Sequence, residues 1–170
     1  MEVTATDIIN SLYHPTDILH LRVFDDKKRG IFTGQKLSVE AGKFVTIEKM
    51  LRDHNEQGHG IFLVVNSGGQ LDKEINRINA QFVESDSLSF EEMQARIDGF
   101  PMPPSMIIKT RKSLHTYWFV KDAEVARFRP IQKALPFGRP RPTSILASSI
   151  FAGLPRRIRK GSPSTTAAAT

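Results

Sequence analysis

Apolar positions along the chain switch repeatedly between a period of two and a period near 3.6, the mark of alternating strands and helices. "ATDIINSLYH" predicts a short helix with Thr6 or Asp7 near its N-cap. "ILHLRVFDD" (18–26) alternates as a strand does, with "KKRG" as the turn after it and "GIFTGQKLSV" as a second strand. Val45, Ile47, Met50 and Leu51 place an amphipathic helix over 44–58, closed by Gly58. "GIFLVVN" (60–66) is apolar throughout and predicts a central strand. After the glycine turn "SGGQ" a short helix starts near Asp72, and "AQFVESD" (80–86) supplies the next strand. Ser89 followed by Glu92 is a capping-box pair, so 89–100 is helical. Beyond "PMPP", the stretches "SMIIKT" (105–110) and "SLHTYWFV" (113–120) form a hairpin around a tight basic turn, and 121–135 follows as a helix. The series predicts an α+β (α/β-like) fold, a mixed sheet with flanking helices.

After Leu135 the texture changes. Residues 136–170 are rich in Arg, Pro, Ser, Thr and Ala, carry no acid and show no sustained amphipathic period, so they are expected to form a disordered basic tail behind a folded unit at 1–135. The net charge of +6 belongs to that end of the chain. Residues 1–124 hold 15 Lys and Arg against 18 Asp and Glu, a net of −3, while 125–170 hold nine Lys and Arg and no acid, a net of +9. The sum therefore says nothing of an electrostatic footprint on the folded unit. The absence of cysteine excludes disulfides and thiolate zinc sites. No apolar run is long enough to span a membrane, and "MEVTATDIINSLYH" has no basic cluster of the signal-peptide kind, so no membrane partner and a cytoplasmic location are expected.

Glu84 and Asp86 share a parity with Ala80 and Phe82, which carries both carboxylates to one side near the end of a strand. Two such acids repel unless a cation lies between them, and a divalent metal is the usual one. The alternative is a solvated strand end, with Asp86 favouring the turn. His115 shares one face of its strand with Tyr117 and Phe119, while Leu114, Thr116, Trp118 and Val120 take the other. The second set is the bulkier, so His115 is expected to look into a cleft, where it meets a phosphate or a metal; the competing reading is a satisfied surface histidine. Lys109, Arg111 and Lys112 surround the hairpin turn as phosphate contacts or as a solvated tip that discourages edge pairing. "NSGGQ" (66–70) offers backbone amides to a phosphate or is a plain turn. His14, His20, His54 and His59 show no ligand spacing and are expected to be structural or exposed. No His-x-His occurs, which sets aside a rolling-circle nuclease.

The order of these features, two acids on a strand, a helix, "PP", then a hairpin with Ser-x-His, resembles the archaeo-eukaryotic primase superfamily. "FVESD" is similar to its first acidic motif, with Glu84 where an aspartate is common, and "SLH" (113–115) matches its Ser-x-His motif. Residues 5–135 look like the RepB-like primase domain of phages and plasmids. The resemblance implies an RRM-like primase-polymerase core and metal-dependent nucleotidyl transfer from NTPs or dNTPs on a single-stranded DNA template. By residue match, Glu84 and Asp86 would hold Mg²⁺ or Mn²⁺ and His115 would bind the phosphates of the incoming nucleotide, with Lys109 and Arg111 as further nucleotide contacts. A replicative helicase is the further partner it implies.

The family pattern also has a third acid beyond the hairpin, and no acid follows Glu124. Asp122 and Glu124 lie close to the hairpin, at the start of the last helix. The expectation is therefore a primase domain truncated at its C-terminal end, which would leave a sheet edge exposed and polymerase activity low. The alternative function is an inactive primase fragment or a non-catalytic nucleic-acid-binding replication protein.

Overall fold

Leu19, Leu21 and Val23 are fully buried while Ile18, His20, Arg22 and Phe24 turn the other way, the period-two signature of a strand with one face on a core. This strand, β1 (Ile18–Phe24), belongs to a computed structural model that describes residues 4–25, 34–84, 88–110 and 113–135. It pairs antiparallel with β2 (Gln35–Glu40) on one side and β3 (Gly60–Leu63) on the other. A second three-stranded sheet runs in the order β4 (Ile78–Glu84), β6 (Leu114–Ala123), β5 (Met106–Lys109), again antiparallel throughout.

The α+β class is as expected, but the mixed sheet is not. Every strand pairing among the described residues is antiparallel, because the strands divide between two sheets instead of crossing over into one. The expectation that 60–66 is a central strand also fails: β3 lies at the side of its sheet and β1 in the middle. Ile61, Leu63, Val64 and Val65 are buried while Phe62 turns to the other face, and burial is not the same as a central place in the ladder.

Among the described residues four α-helices cover the sheets. In α1 (Ala5–Leu12) the residues Ala5, Ile8, Ile9 and Leu12 form one buried stripe. Its cap is Thr4, whose hydroxyl accepts from the Asp7 N–H while the Asp7 carboxylate accepts from the Thr4 N–H. Asp7 is thus the third residue of the capping box, not the cap. The Thr4 hydroxyl, donating to the Asp7 carboxylate at 2.7 Å, and then the Thr4 N–H hold that carboxyl below the usual range. Leu51 of α2 (Val45–Glu56) joins α1 and β1 in the main core. Ser89 and Glu92 close the expected capping box on α3 (Phe90–Asp98). Met93 and Ile97 of that helix pack on Val83, Leu114 and Trp118, a second cluster on the far face of the β4-β6-β5 sheet. On the near face Ala80, Phe82, Ile108 and Tyr117 join the main core, together with Phe128 of α4 (Val125–Ala134).

Gln132 of α4 also reaches the free side of β4. Its carboxamide oxygen accepts from the Phe82 N–H at 3.3 Å, and its amide nitrogen donates to the Phe82 carbonyl. At Phe82 this side chain takes the place that a neighbouring strand would hold. The expected tail, 136–170, lies outside the described residues.

A buried polar seam joins the two sheets. The Asn66 side-chain oxygen accepts from the N–H of Asn79 at 2.9 Å, and the Asn79 amide donates to the Val65 carbonyl at 2.9 Å. Arg77 donates to Asn79, Ser67 and Asp17. Tyr13 donates its phenol to the carbonyl of Val64. Burial, with smaller contributions from Tyr117 and Asp17, raises the Tyr13 phenol well above its ordinary range. A raised folded-state value means that stability holds while the unfolded phenol stays protonated and falls as pH rises past about 10, where only the unfolded chain ionises freely. Tyr13→Phe is therefore expected to cost about 1–3 kcal/mol near neutrality, for the stranded carbonyl. The gap to the unsubstituted protein is expected to narrow above about pH 10. Urea unfolding at both pH values measures each effect; a gap that does not change with pH would show that the phenol ionises freely in the folded chain.

Candidate active site

The register of β4 on β6 puts Glu84 directly opposite His115, and β5 on the other side puts Ile108 opposite the same histidine. His115 thus sits in the middle strand with a carboxylate on one flank. Its Nε2 lies 3.1 Å from Glu84 Oε1 and 3.0 Å from Ser113 Oγ. Both side chains are deep: His115 is 2% exposed and Glu84 6%. Removal of both from water is costly, and their proximity in a low-dielectric setting offsets part of that cost.

Ser113 is held by the hairpin itself. The Thr110 N–H donates to the Ser113 carbonyl at 2.9 Å, and the Ser113 N–H donates to Thr110 Oγ1 at 3.0 Å. This local staple fixes the Ser-x-His segment before any ligand is considered. The arrangement is not a hydrolytic triad. Such a triad places acid and nucleophile on opposite nitrogens of the ring, whereas Glu84 and Ser113 both meet Nε2. No proton can pass from one to the other through the imidazole.

Other expected site residues fall as follows. Glu84 and His115 meet, through the register of β4 on β6. Asp86 and Arg111 lie outside the described residues. Among the described residues the His115 ring is buried, where a ring beside a cleft is expected. Tyr117 and Phe82, on the same face, are themselves in the main core with Phe128. Counting bulky residues within one strand detects the cluster under α3 but not the aromatic side chains that other elements bring to the opposite face. Lys109 is paired with Leu114, one register step from His115, and so lies on the α3 face. Its Nζ stands 4.9 Å from the centre of the Phe90 ring, apart from the Glu84–His115 cluster.

Asp122 and Glu124 are far from the pair. Asp122 sits on a bulge at the far end of β6, with φ of 53°, and six strand residues separate it from His115, roughly 20 Å. Glu124 follows that end, at the start of α4, and pairs with Arg127 at 2.9 Å on the surface. Among the described residues no three His, Asp or Glu side chains converge as metal ligands.

The glycine turn is a plain one. A Cβ on Gly68, whose φ is +131°, would lie 2.1 Å from the carbonyl oxygen of Glu74, and one on Gly69 would lie 2.5 Å from the Glu74 carboxylate. Close backbone approach accounts for both glycines, and an acid beside them disfavours phosphate. Two groupings escaped the sequence reading. His54 and His59 meet Nδ1 to Nδ1 at 3.0 Å across the turn that ends α2, a contact that no ligand spacing announces. The outer face of β1 gathers Arg22, Phe24 and Lys36, which only the strand register brings together.

No family model matches the chain, and no curated protein does. Three solved structures are similar. The archaeo-eukaryotic primase domain of the primase-polymerase of cyanophage S-2L is 21% identical with a TM-score of 0.62, over 82% of this chain and 77% of that one. The primase RepB′ and its catalytic domain in complex with initiator DNA each score 0.45 at 14% identity. They cover 71% and 72% of this chain, and 38% and 60% of theirs. No helix among the described residues is long and apolar enough to cross a membrane. Two antiparallel sheets, the Ser-x-His hairpin and the match over most of both chains give one conclusion: this chain has an archaeo-eukaryotic primase-like fold.

Proposed function

We propose that the chain is a primase-polymerase that joins NTPs or dNTPs on a single-stranded DNA template with Mg²⁺ or Mn²⁺. The observation that carries this reading is the buried Glu84–His115 contact across β4 and β6, in a fold of primase type. The donor set suits such an ion: Glu84 offers carboxylate oxygen, Asp86 follows two residues on, and an imidazole nearby is better tolerated by Mn²⁺ than by Mg²⁺. In the proposed roles Glu84 and Asp86 hold the ion and His115 the nucleotide's phosphates. When bound, the ion would neutralise charge on those phosphates and polarise them. Ser113 orients the His115 ring, and Thr110 orients Ser113.

The burial of the pair favours one competing reading, a structural hydrogen bond inside a non-catalytic nucleic-acid-binding protein. A primer-synthesis assay separates the two. Labelled NTPs or dNTPs, single-stranded DNA and Mn²⁺ are expected to give products that disappear on chelation and in Asp86→Ala. Failure of the protein to make any product with either ion and either nucleotide set would overturn the catalytic reading.

A further inference from the structure

The odd-numbered residues of β1 pack on α1 and α2, which leaves the even-numbered ones on the outer face of the β2-β1-β3 sheet. There Arg22 stands directly opposite Lys36 on β2 and Phe62 on β3. Two cations opposed across antiparallel strands repel, and nothing in the fold requires that pair. The Arg22 guanidinium donates to the Gln70 carbonyl at 3.3 Å, but its buried Nε has no hydrogen-bond partner among the described residues. Beside it His20 Nδ1 lies 2.9 Å from Ser38 Oγ. The one acid in these three strands, Glu40, is opposite Ile18 at the far end and is paired with Lys43 at 2.9 Å.

Phe24 completes the face. It is 40% exposed and rests edge-to-face on Phe62, with ring centres 5.3 Å apart. Its cross-strand neighbour on β3 is Gly60, and on its other flank lies Gly34, where a Cβ would come within 3.1 Å of the ring. Two bare glycines leave the ring accessible.

We propose that this outer face binds single-stranded nucleic acid, with a phosphate between Arg22 and Lys36 and a base stacked on Phe24. A phosphate there converts the Arg22–Lys36 repulsion into two attractions. An aromatic ring beside paired cations suits a single strand, because a duplex hides the base faces that would stack. To call that strand the template rests on the function proposed above; the binding itself does not.

The test is fluorescence anisotropy of a labelled oligo(dT) with the full chain, without metal or nucleotide. Phe24→Ala is expected to weaken binding about tenfold or more, and Phe24→Tyr to retain it. Lys36→Glu is expected to raise the melting temperature, by replacing a like-charge pair with an ion pair, while it weakens binding and lowers the salt slope by about one or more. Because the basic residues after 124 also attract nucleic acid, Phe24→Trp supplies a local signal: its emission is expected to be quenched by oligo(dT). Glu84→Gln is expected to bind oligo(dT) normally, so that a failed primer assay leaves this result standing. Unchanged affinity in both Phe24→Ala and Lys36→Glu, unchanged emission of Phe24→Trp at saturation, or equal affinity for duplex DNA would overturn the proposal.

Discussion

Glu84→Gln is expected to reduce primer synthesis about a hundredfold or more and to move the melting temperature by only a few degrees. The amide has the size of the carboxylate, and its oxygen can still accept from His115 Nε2, 3.1 Å from the present oxygen. What disappears is the charge. A carboxylate that holds an ion at the phosphates contributes a few kcal/mol of transition-state stabilisation, and each 1.36 kcal/mol is tenfold in rate, hence the hundredfold. Stability should change little, because the attraction lost is matched by a desolvation cost no longer incurred. Thermal melting and nucleotide incorporation on the same preparation check both halves. An unfolded variant would show a structural hydrogen bond, and an active one would remove Glu84 from the chemistry.

Phe128→Ala is expected to cost about 3–5 kcal/mol, a large share of the stability of a chain this size. Phe128 is 1% exposed, and its ring centre is 6.0 Å from that of Phe82, which in turn neighbours Tyr117 at 6.3 Å. The cavity would open between α4 and β4, where little can collapse into it, since β4 is fixed by its ladder with β6. The midpoint of urea unfolding measures the loss. A cost below about 1 kcal/mol would mean that α4 is only loosely docked.

Much of this fold is legible in local patterns. Ser89 and Glu92 mark the start of α3 because a capping box is made by residues three apart. The hairpin is legible for the same reason, and strand parity gives the face that Glu84 takes, while the register of β4 on β6 sets it opposite His115. What local pattern does not carry is the identity of the neighbour. The burial of His115 depends on β4 and β5 at its flanks and on Phe82 and Tyr117 along its face, with Phe128 arriving from α4. The place of Lys109 depends on a register one step from that of Ile108. The division into two sheets depends on Asn66, Asn79 and Arg77, polar residues that resemble any loop until their hydrogen bonds are seen.

Gln132 gives β4 what an additional strand would give at Phe82, one acceptor for its N–H and one donor for its carbonyl. A side chain is standing in for a backbone. At that point another chain has nothing to pair with while α4 is docked, so self-association through β4 must await the undocking of a helix. Solubility and the integrity of the last helix are thereby coupled. A change that loosens α4 exposes, in one event, both an apolar surface and a template for aggregation.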